Sequence, residues 1–222
     1  LKDFKQIKKI EEKTNHDVNA VVVFISEKLK RAGRKDLVPL VHFGLTSEDI
    51  NNTAYSLMTR GAVDNIMIPS IKSVLKELKK LSKKTKSLPL LSLTHGQPAT
   101  TTTLGKELAV FISRVERELA LIKKMRLLAK FSGATGSYAA HNVAFPGFSW
   151  SVFSKRFINK LGLEQSPVST QVEPGDSLAE LFHSFVRINN IFSDFSLDMW
   201  LYISRNIFVQ KNIVGEVGSS TM

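Results

Sequence analysis

The chain has 222 residues, no cysteine, and 31 Lys and Arg against 20 Asp and Glu, for a formal net charge of +11. Without cysteine there is no disulfide framework, no thiolate nucleophile and no cysteine-ligated zinc or iron–sulfur site. Its 43% of hydrophobic residues provide ample material for a buried core and exclude a disordered segment. No apolar run reaches the roughly 18 residues that a membrane-spanning helix needs, and the sequence predicts no signal peptide.

The positive charge is concentrated in two segments. Residues 1–35 carry ten basic and five acidic residues, and residues 72–86 carry seven lysines and one glutamate, so the remainder is neutral. Between the lysines of the second segment, apolar residues recur every three or four positions, the pattern of a helix with a solvated outer face. This segment lacks the arginines and interleaved aromatic residues typical of a nucleic-acid surface. The charge therefore predicts an exposed lysine-rich helix and no nucleic-acid partner.

The helical period dominates the chain from one end to the other. Stretches with this period, bounded by caps or helix breakers, are residues 1–31 with an interruption at 13–16, 46–68, the lysine stretch up to Pro89, 108–129, 151–160 and 177–202. No strict alternation is long enough to indicate a sheet. We therefore predict an all-α chain whose long helices pack along their length in an elongated bundle.

Three polar strings do not suit the interior of such a bundle. They are Thr14-Asn15-His16-Asp17, the string from His42 to Asp49, and the string from Thr94 to Thr100. Each joins a histidine to small hydroxyl or amide side chains, and two of them lie at predicted helix starts, where free backbone N–H groups attract anions. Together they predict a functional site.

The histidine spacing argues against a metal centre. No pair has the HxxxH or HExxH spacing of a zinc site, so we expect no metal. His141 and His183 lie outside the three polar strings, and we interpret them as ordinary structural residues.

Six polar strings follow one another along the chain: Thr14–Val18, Thr46–Asn52, Leu91–Thr100, Gly133–Gly136, Ser169–Pro174 and Gly215–Met222. This ordered set resembles the adenylosuccinate lyases, and in particular their bacterial-type branch, within the fumarase/aspartase superfamily. The resemblance implies the all-α, elongated bundle of long antiparallel helices found in that superfamily. It also implies that residues 1–45 are the remainder of an N-terminal helical domain and residues 46–222 the first part of the central long-helix domain.

The resemblance implies a reaction and its catalytic groups. The reaction is β-elimination of fumarate from adenylosuccinate, giving AMP, with the same cleavage of the succinylaminoimidazole-carboxamide ribonucleotide of purine biosynthesis. The general acid would be His95, whose side-chain pKa suits proton transfer near neutral pH. The general base would be Ser219, and a serine hydroxyl needs strong stabilisation of its alkoxide to act as one. The enzyme would be a cytoplasmic homotetramer with sites shared between subunits, a nucleotide substrate, no cofactor or metal, and no nucleic-acid or membrane partner.

The resemblance also assigns the substrate contacts. The matching positions are Asn15, His16 and Asp17 at the nucleotide, Thr46 and Ser47 at a succinyl carboxylate, Thr94 beside the acid, and Gln171 and Ser220 elsewhere on the substrate, with His42 in a supporting role. The family's loop continues into Pro-x-Lys-x-Asn-Pro, which this chain does not contain. We therefore expect the chain to be an internal portion of a longer enzyme and to be inactive by itself.

Three other hypotheses stay open at this stage. The first is another lyase of the superfamily, acting on argininosuccinate, fumarate or aspartate, which the Thr-Asn-His-Asp string and Gln171 disfavour. The second is a catalytically inactive structural or binding protein on the same fold. The third is a basic nucleic-acid binder, which would bind single or double strands at low salt.

Overall fold

The computed structural model describes residues 2–209, 211 and 213–217. In chain order its elements are α1 (Lys2–Thr14), α2 (Asp17–Arg31), a 3₁₀ helix (Lys35–Leu40), α3 (Ser47–Ala62), a π-helical turn (Val63–Met67), α4 (Ile68–Lys84), β1 (Pro89–Thr94), β2 (Gln97–Thr103), α5 (Leu104–Lys124), β3 (Leu128–Ala129), α6 (Ala139–Ala144), α7 (Trp150–Lys160), β4 (Glu164–Gln165) and α8 (Asp176–Ser204). Helices dominate, as the sequence predicts. Among the described residues, none of the helices combines the length and the apolar composition needed to span a lipid bilayer.

The chain divides into two compact units. The first contains residues 1–70 and 125–181, and the second contains residues 71–124 and 182–222, so the division falls inside α4 and α8. The predicted domain boundary after residue 45 concerns the complete protein and stays a prediction.

The helix boundaries follow the local sequence signals closely. Asn15, with a φ of 49°, separates α1 from α2, and His16 caps α2. The helical stretch predicted over residues 46–68 does not end in a loop, because a π-helical turn leads directly into α4. Pro69 lies in the first turn of α4, where the missing N–H of proline is tolerated.

The polar string around His95 forms a β-hairpin, which the sequence did not indicate. Strands β1 and β2 pair antiparallel, with Thr94 opposite Gln97. His95 and Gly96 between them have φ values of 51° and 73°, and two successive positive φ angles are typical of the type I′ hairpin turn. Both strands are largely exposed. Alternation of polar and apolar residues is absent because neither face of the hairpin is buried.

The second unit is held together by apolar side chains. Helix α5 buries one stripe along its length, which consists of Leu104, Leu108, Phe111, Ile112, Val115, Leu119 and Ile122. Around this stripe, ion pairs join Glu116 to Lys79 of α4 at 2.5 Å and Glu118 to Arg187 of α8 at 2.8 Å. The stripe is the one that the helical period predicts, although the helix ends at Lys124 and not near Ala129.

Helix α3 of the first unit packs in the opposite way. Its buried residues are Asp49, Asn52 and Ser56, at the spacing i, i+3, i+7 that places them on one face. Its large apolar residues are exposed instead, Tyr55 by 60% and Met58 by 68%. The buried face of α3 is therefore polar, and its hydrogen bonds fix the neighbouring segments of the first unit.

Candidate active site

Two of the predicted strings lie side by side in the first unit. As the cap of α2, His16 accepts a hydrogen bond on Nδ1 from the Asn19 backbone N–H at 3.3 Å. Because Nδ1 is the acceptor, a neutral ring carries its proton on Nε2, which lies 3.4 Å from the Ser47 hydroxyl oxygen. Next to this contact, Asn51 Nδ2 donates to the Asp17 carboxylate at 3.4 Å. The structure thus joins the string predicted at the nucleotide to the one predicted at a carboxylate.

The Asp17 carboxylate stays ionised at neutral pH. It accepts a hydrogen bond from the Val18 backbone N–H at 2.7 Å, and this bond, aided by Asn51, holds the pKa of Asp17 below its ordinary value. The side chains of His16 and Asp17 are 49% and 62% exposed. A ligand therefore has access to a negatively charged acceptor next to an imidazole donor. Asn15 immediately precedes this pair, at the positive-φ joint between α1 and α2.

A second contact brings Thr46 and Gln171 together. Gln171 Nε2 donates to Thr46 Oγ1 at 3.3 Å, although the two residues are 125 positions apart. The Thr46 hydroxyl is the acceptor here, so its own proton is left to donate to a ligand oxygen. Thr46 and Ser47 lie at the N-terminus of α3, where the positive end of the helix dipole favours an anion.

A buried ion pair between Asp49 and Lys130 bonds to the backbone of both Thr46 and Gln171. Asp49 forms a capping box with Thr46 and accepts the Thr46 backbone N–H at 2.8 Å. It also lies 2.9 Å from Lys130 Nζ, and both side chains are fully buried. Sequence reasoning missed Lys130. The available signal was a single lysine inside the apolar run between Leu127 and Phe131.

His42 lies next to an aromatic cluster around His141. His42 has a φ of 65°, and no described residue hydrogen-bonds its buried Nδ1. Two positions later Gly44, at a φ of 62°, packs so closely that a Cβ there would lie 2.7 Å from the His141 ring. The supporting role of His42 stays a prediction.

His141 is a fully buried residue. Its ring centroid lies 4.6 Å from that of Trp150 and 5.6 Å from those of Phe43 and Phe131. No described residue hydrogen-bonds either ring nitrogen. Burial lowers the pKa of His141, an effect that the negative charge of Asp49 partly opposes. The ring is therefore neutral at physiological pH. His183 is exposed on α8.

The remaining site residues lie elsewhere. His95 and Thr94 belong to the hairpin of the second unit, and both are exposed. Ser219 and Ser220 lie outside the described residues. Within the described part of the chain, no group of three or more His, Asp or Glu side chains is arranged to hold a metal ion. The structure thus brings the nucleotide and carboxylate strings together in the first unit, and the hairpin that carries the predicted acid belongs to the second unit.

Comparison with known proteins identifies the family. A family model described as Lyase matches residues 1–222. The chain belongs to the lyase family. This lyase-family chain is 46% identical over 224 residues to the adenylosuccinate lyase of Buchnera aphidicola, a match that covers 100% of the chain and 49% of the relative. It is 46% identical over 222 residues to that of Vibrio cholerae, with 99% and 49% covered.

The adenylosuccinate lyase of Escherichia coli is 44% identical over 221 residues, with 99% of this chain and 48% of the relative covered. The lyase-family chain therefore spans about half the length of the curated relatives it matches. The predicted resemblance to adenylosuccinate lyases is confirmed as a similarity along the whole chain.

Two solved structures show the same fold as this chain. A fumarate lyase from Mesorhizobium superposes with a TM-score of 0.74 at 22% identity, covering 90% of this chain and 45% of that one. The β-carboxy-cis,cis-muconate cycloisomerase of Acinetobacter calcoaceticus superposes with a TM-score of 0.71 at 20% identity, again over 90% and 45%. The predicted helical fold class is confirmed, with small two-stranded sheets added to it.

Proposed function

We propose that the complete protein is an adenylosuccinate lyase that releases fumarate from adenylosuccinate and from the succinylaminoimidazole-carboxamide ribonucleotide. The observation that carries the proposal is the meeting of separate strings in the first unit. Asp17 with His16 lies against the start of α3, and Gln171 reaches Thr46 from more than a hundred positions away. Similarity of 44–46% identity to adenylosuccinate lyases supports the same reaction.

The chemistry assigns complementary tasks to the two groups of residues that meet at the start of α3. A proton leaves the carbon next to a succinyl carboxylate, the C–N bond breaks, fumarate departs, and the leaving nitrogen gains a proton. Negative charge builds up on the succinyl carboxylate before the bond breaks, so donors aimed at that group accelerate the reaction. The hydroxyls of Thr46 and Ser47, at the positive end of the α3 dipole, supply such donors.

The nucleotide end of the substrate would lie against His16 and its neighbours. His16 offers an Nε2 proton, and the ionised Asp17 accepts hydrogen bonds from hydroxyl or amino groups. Gln171 is exposed and already bonded to Thr46, so its amide oxygen is left to accept from the substrate. In this proposal Asn15 contributes at the nucleotide as well.

His95 is the proposed acid and Ser219 the proposed base. His95 lies exposed in a two-residue turn, with Thr94 as the last residue of β1. In the complete protein we propose a cytoplasmic homotetramer in which this hairpin and the first unit of other subunits build each site, without cofactor or metal. Exposed apolar residues on α8, such as Trp200 at 63%, are typical of surfaces that subunit contacts cover. Ser220 next to the base and His42 would assist in binding.

The test is turnover by the complete protein with His95→Ala, measured as AMP and fumarate formed from adenylosuccinate. Loss of a general acid costs on the order of 100-fold or more in kcat. The variant should stay folded because His95 is exposed, with a melting temperature lowered slightly by alanine at a positive φ. His183→Ala, also an exposed histidine, is the matched control and keeps normal turnover.

Near-normal kcat in His95→Ala would refute the role of the acid. A wild-type protein without turnover of adenylosuccinate would refute the function itself, and argininosuccinate, aspartate and fumarate tested in parallel would identify a different lyase.

A further inference from the structure

The buried pair of Lys130 and Asp49 is built to fix neighbouring backbone segments. Lys130 is fully buried, and its ammonium donates to the carbonyl oxygens of Gly133 at 2.9 Å and Gln171 at 2.8 Å. The third partner is Asp49 Oδ1 at 2.9 Å. An ammonium has three N–H donors, so every donor of Lys130 is satisfied.

Asp49 is satisfied just as completely on its own side. Its carboxylate accepts backbone N–H groups from Thr46 at 2.8 Å, Ser132 at 2.9 Å and Gly133 at 3.2 Å. The pair therefore ties together the start of α3, the Gly-rich segment after β3 and the segment that carries Gln171.

The backbone of Lys130 is fixed as well. Asn52 Oδ1 accepts the Lys130 backbone N–H at 2.9 Å, and Asn52 Nδ2 donates to the Lys130 carbonyl at 3.3 Å. Asn52 lies on the same face of α3 as Asp49, so one helix face holds both ends of Lys130. The side chain of Lys130 therefore extends to Gln171 from a backbone that Asn52 holds in place.

We propose that Lys130 is a positioning residue of the active site, which holds Gln171 and the N-terminus of α3 in the geometry that binds the substrate. The proposal rests on the proposed function. Gln171 is held at both ends, since its carbonyl accepts from Lys130 and its side-chain amide donates to Thr46. Hydrophobic residues of similar volume often replace a buried ion pair without loss of stability. Stability alone therefore does not account for this pair, whereas its directional hydrogen bonds to three backbone segments do.

The first test is Lys130→Met in the complete protein, with adenylosuccinate as substrate. Misplacement of binding groups by about 1 Å costs on the order of 100-fold in rate. We expect kcat/KM to fall by about that factor, with much of the loss in KM. Lys155→Met, at an exposed lysine of the first unit, is the control and leaves kcat/KM unchanged. Unchanged kcat/KM in a folded Lys130→Met protein would overturn the proposal.

Removing the lysine alone leaves the Asp49 charge buried, so the double variant Asp49→Asn, Lys130→Met keeps the test open if the single variant does not fold. The same loss of kcat/KM is expected in this neutral pair. In a Gln171→Ala background, Lys130→Met should raise KM several-fold less than in wild type, because part of its effect passes through Gln171. Equal factors in both backgrounds would indicate a purely structural lysine.

Hydrogen exchange gives a readout that needs no substrate. Amides in residues 131–136 and 169–173 should exchange faster in the neutral pair than in wild type, while those of α5 stay unchanged. No local increase would overturn the positioning role even if the enzyme is active. A wild type that lacks turnover would refute the proposed function, and the exchange result would still decide whether Lys130 fixes these segments.

Discussion

Helices α5 and α3 are both packed against their neighbours, yet they use opposite chemistry. Helix α5 buries a continuous apolar stripe, whereas α3 buries Asp49, Asn52 and Ser56 and exposes Tyr55 and Met58. Apolar burial has no direction and tolerates small shifts between neighbours. Hydrogen bonds require defined distances and angles. The comparison indicates that α5 supplies stability to the second unit and that α3 supplies geometry to the candidate site in the first.

The energies of the two kinds of contact support this division. Full burial of an aliphatic side chain contributes about 1.5–3 kcal/mol, whereas a typical hydrogen bond contributes a net of about 0.5–1.5 kcal/mol. A buried polar group that loses its partner, however, costs about 1–3 kcal/mol. The polar face of α3 therefore adds little to the free energy of unfolding when its hydrogen bonds are intact. A displaced partner, however, leaves a buried polar group without a hydrogen bond and lowers that free energy.

The largest expected effect comes from the apolar side of the comparison. Leu108→Ala in α5 removes a side chain that is 1% exposed. Such truncations cost about 2–5 kcal/mol, because a cavity is added to the lost burial. The free energy of unfolding in urea measures this loss. KM for adenylosuccinate should stay unchanged in the folded variant.

The matched control for Leu108→Ala is Val110→Ala. Val110 lies on the same helix and is 42% exposed, so its truncation should change the free energy of unfolding by no more than about 0.5 kcal/mol. Equal losses in the two variants would contradict the assignment of stability to the buried stripe.

A smaller loss of stability, joined to a loss of function, is expected from the polar side. Asn52→Ala leaves the backbone N–H and carbonyl of Lys130 without their side-chain partner, at a cost of about 1–3 kcal/mol. Because the backbone of Lys130 is then no longer held by Asn52, KM for adenylosuccinate should rise, unlike in Leu108→Ala. Asn159→Ala, at an exposed asparagine of α7, is the control for both measurements. An unchanged KM in Asn52→Ala would contradict the inference that the buried polar face of α3 fixes the geometry of the candidate site.

The two helices also differ in how far the sequence predicts them. The stripe of α5 follows from the helical period alone, residue by residue from Leu108 to Ile122, because burial there depends on hydrophobicity. For α3 the same rule would bury Tyr55 and Met58, which are exposed. The polar face of α3 is buried because it bonds to partners about eighty positions away, such as Lys130 for Asn52. The local sequence of α3 does not identify those partners.

The candidate site shows the same limit. The motifs identify Thr46, His16 and Gln171 as residue types suited to a ligand, but periodicity contains no information about which strings meet. The contact between Gln171 and Thr46 depends on the tertiary fold. Lys130 was overlooked because a single lysine in an apolar run is typical of an exposed position. Its three hydrogen-bond acceptors, which the sequence does not identify, show that it is buried and bonded.

The last prediction concerns pH and the aromatic cluster beside α3. Burial lowers the pKa of His141 in the folded state, so the unfolded chain binds a proton more readily than the folded one. Stability should therefore be complete above the ordinary histidine pKa of about 6.5 and decline as the pH falls below it, towards the lowered folded pKa. The negative charge of Asp49 limits the decline because it favours the protonated ring. Urea unfolding of wild type and His141→Phe across this range measures the effect. A phenyl ring suits the aromatic surroundings and does not titrate, so an equally steep decline in that variant would assign the pH dependence to other groups.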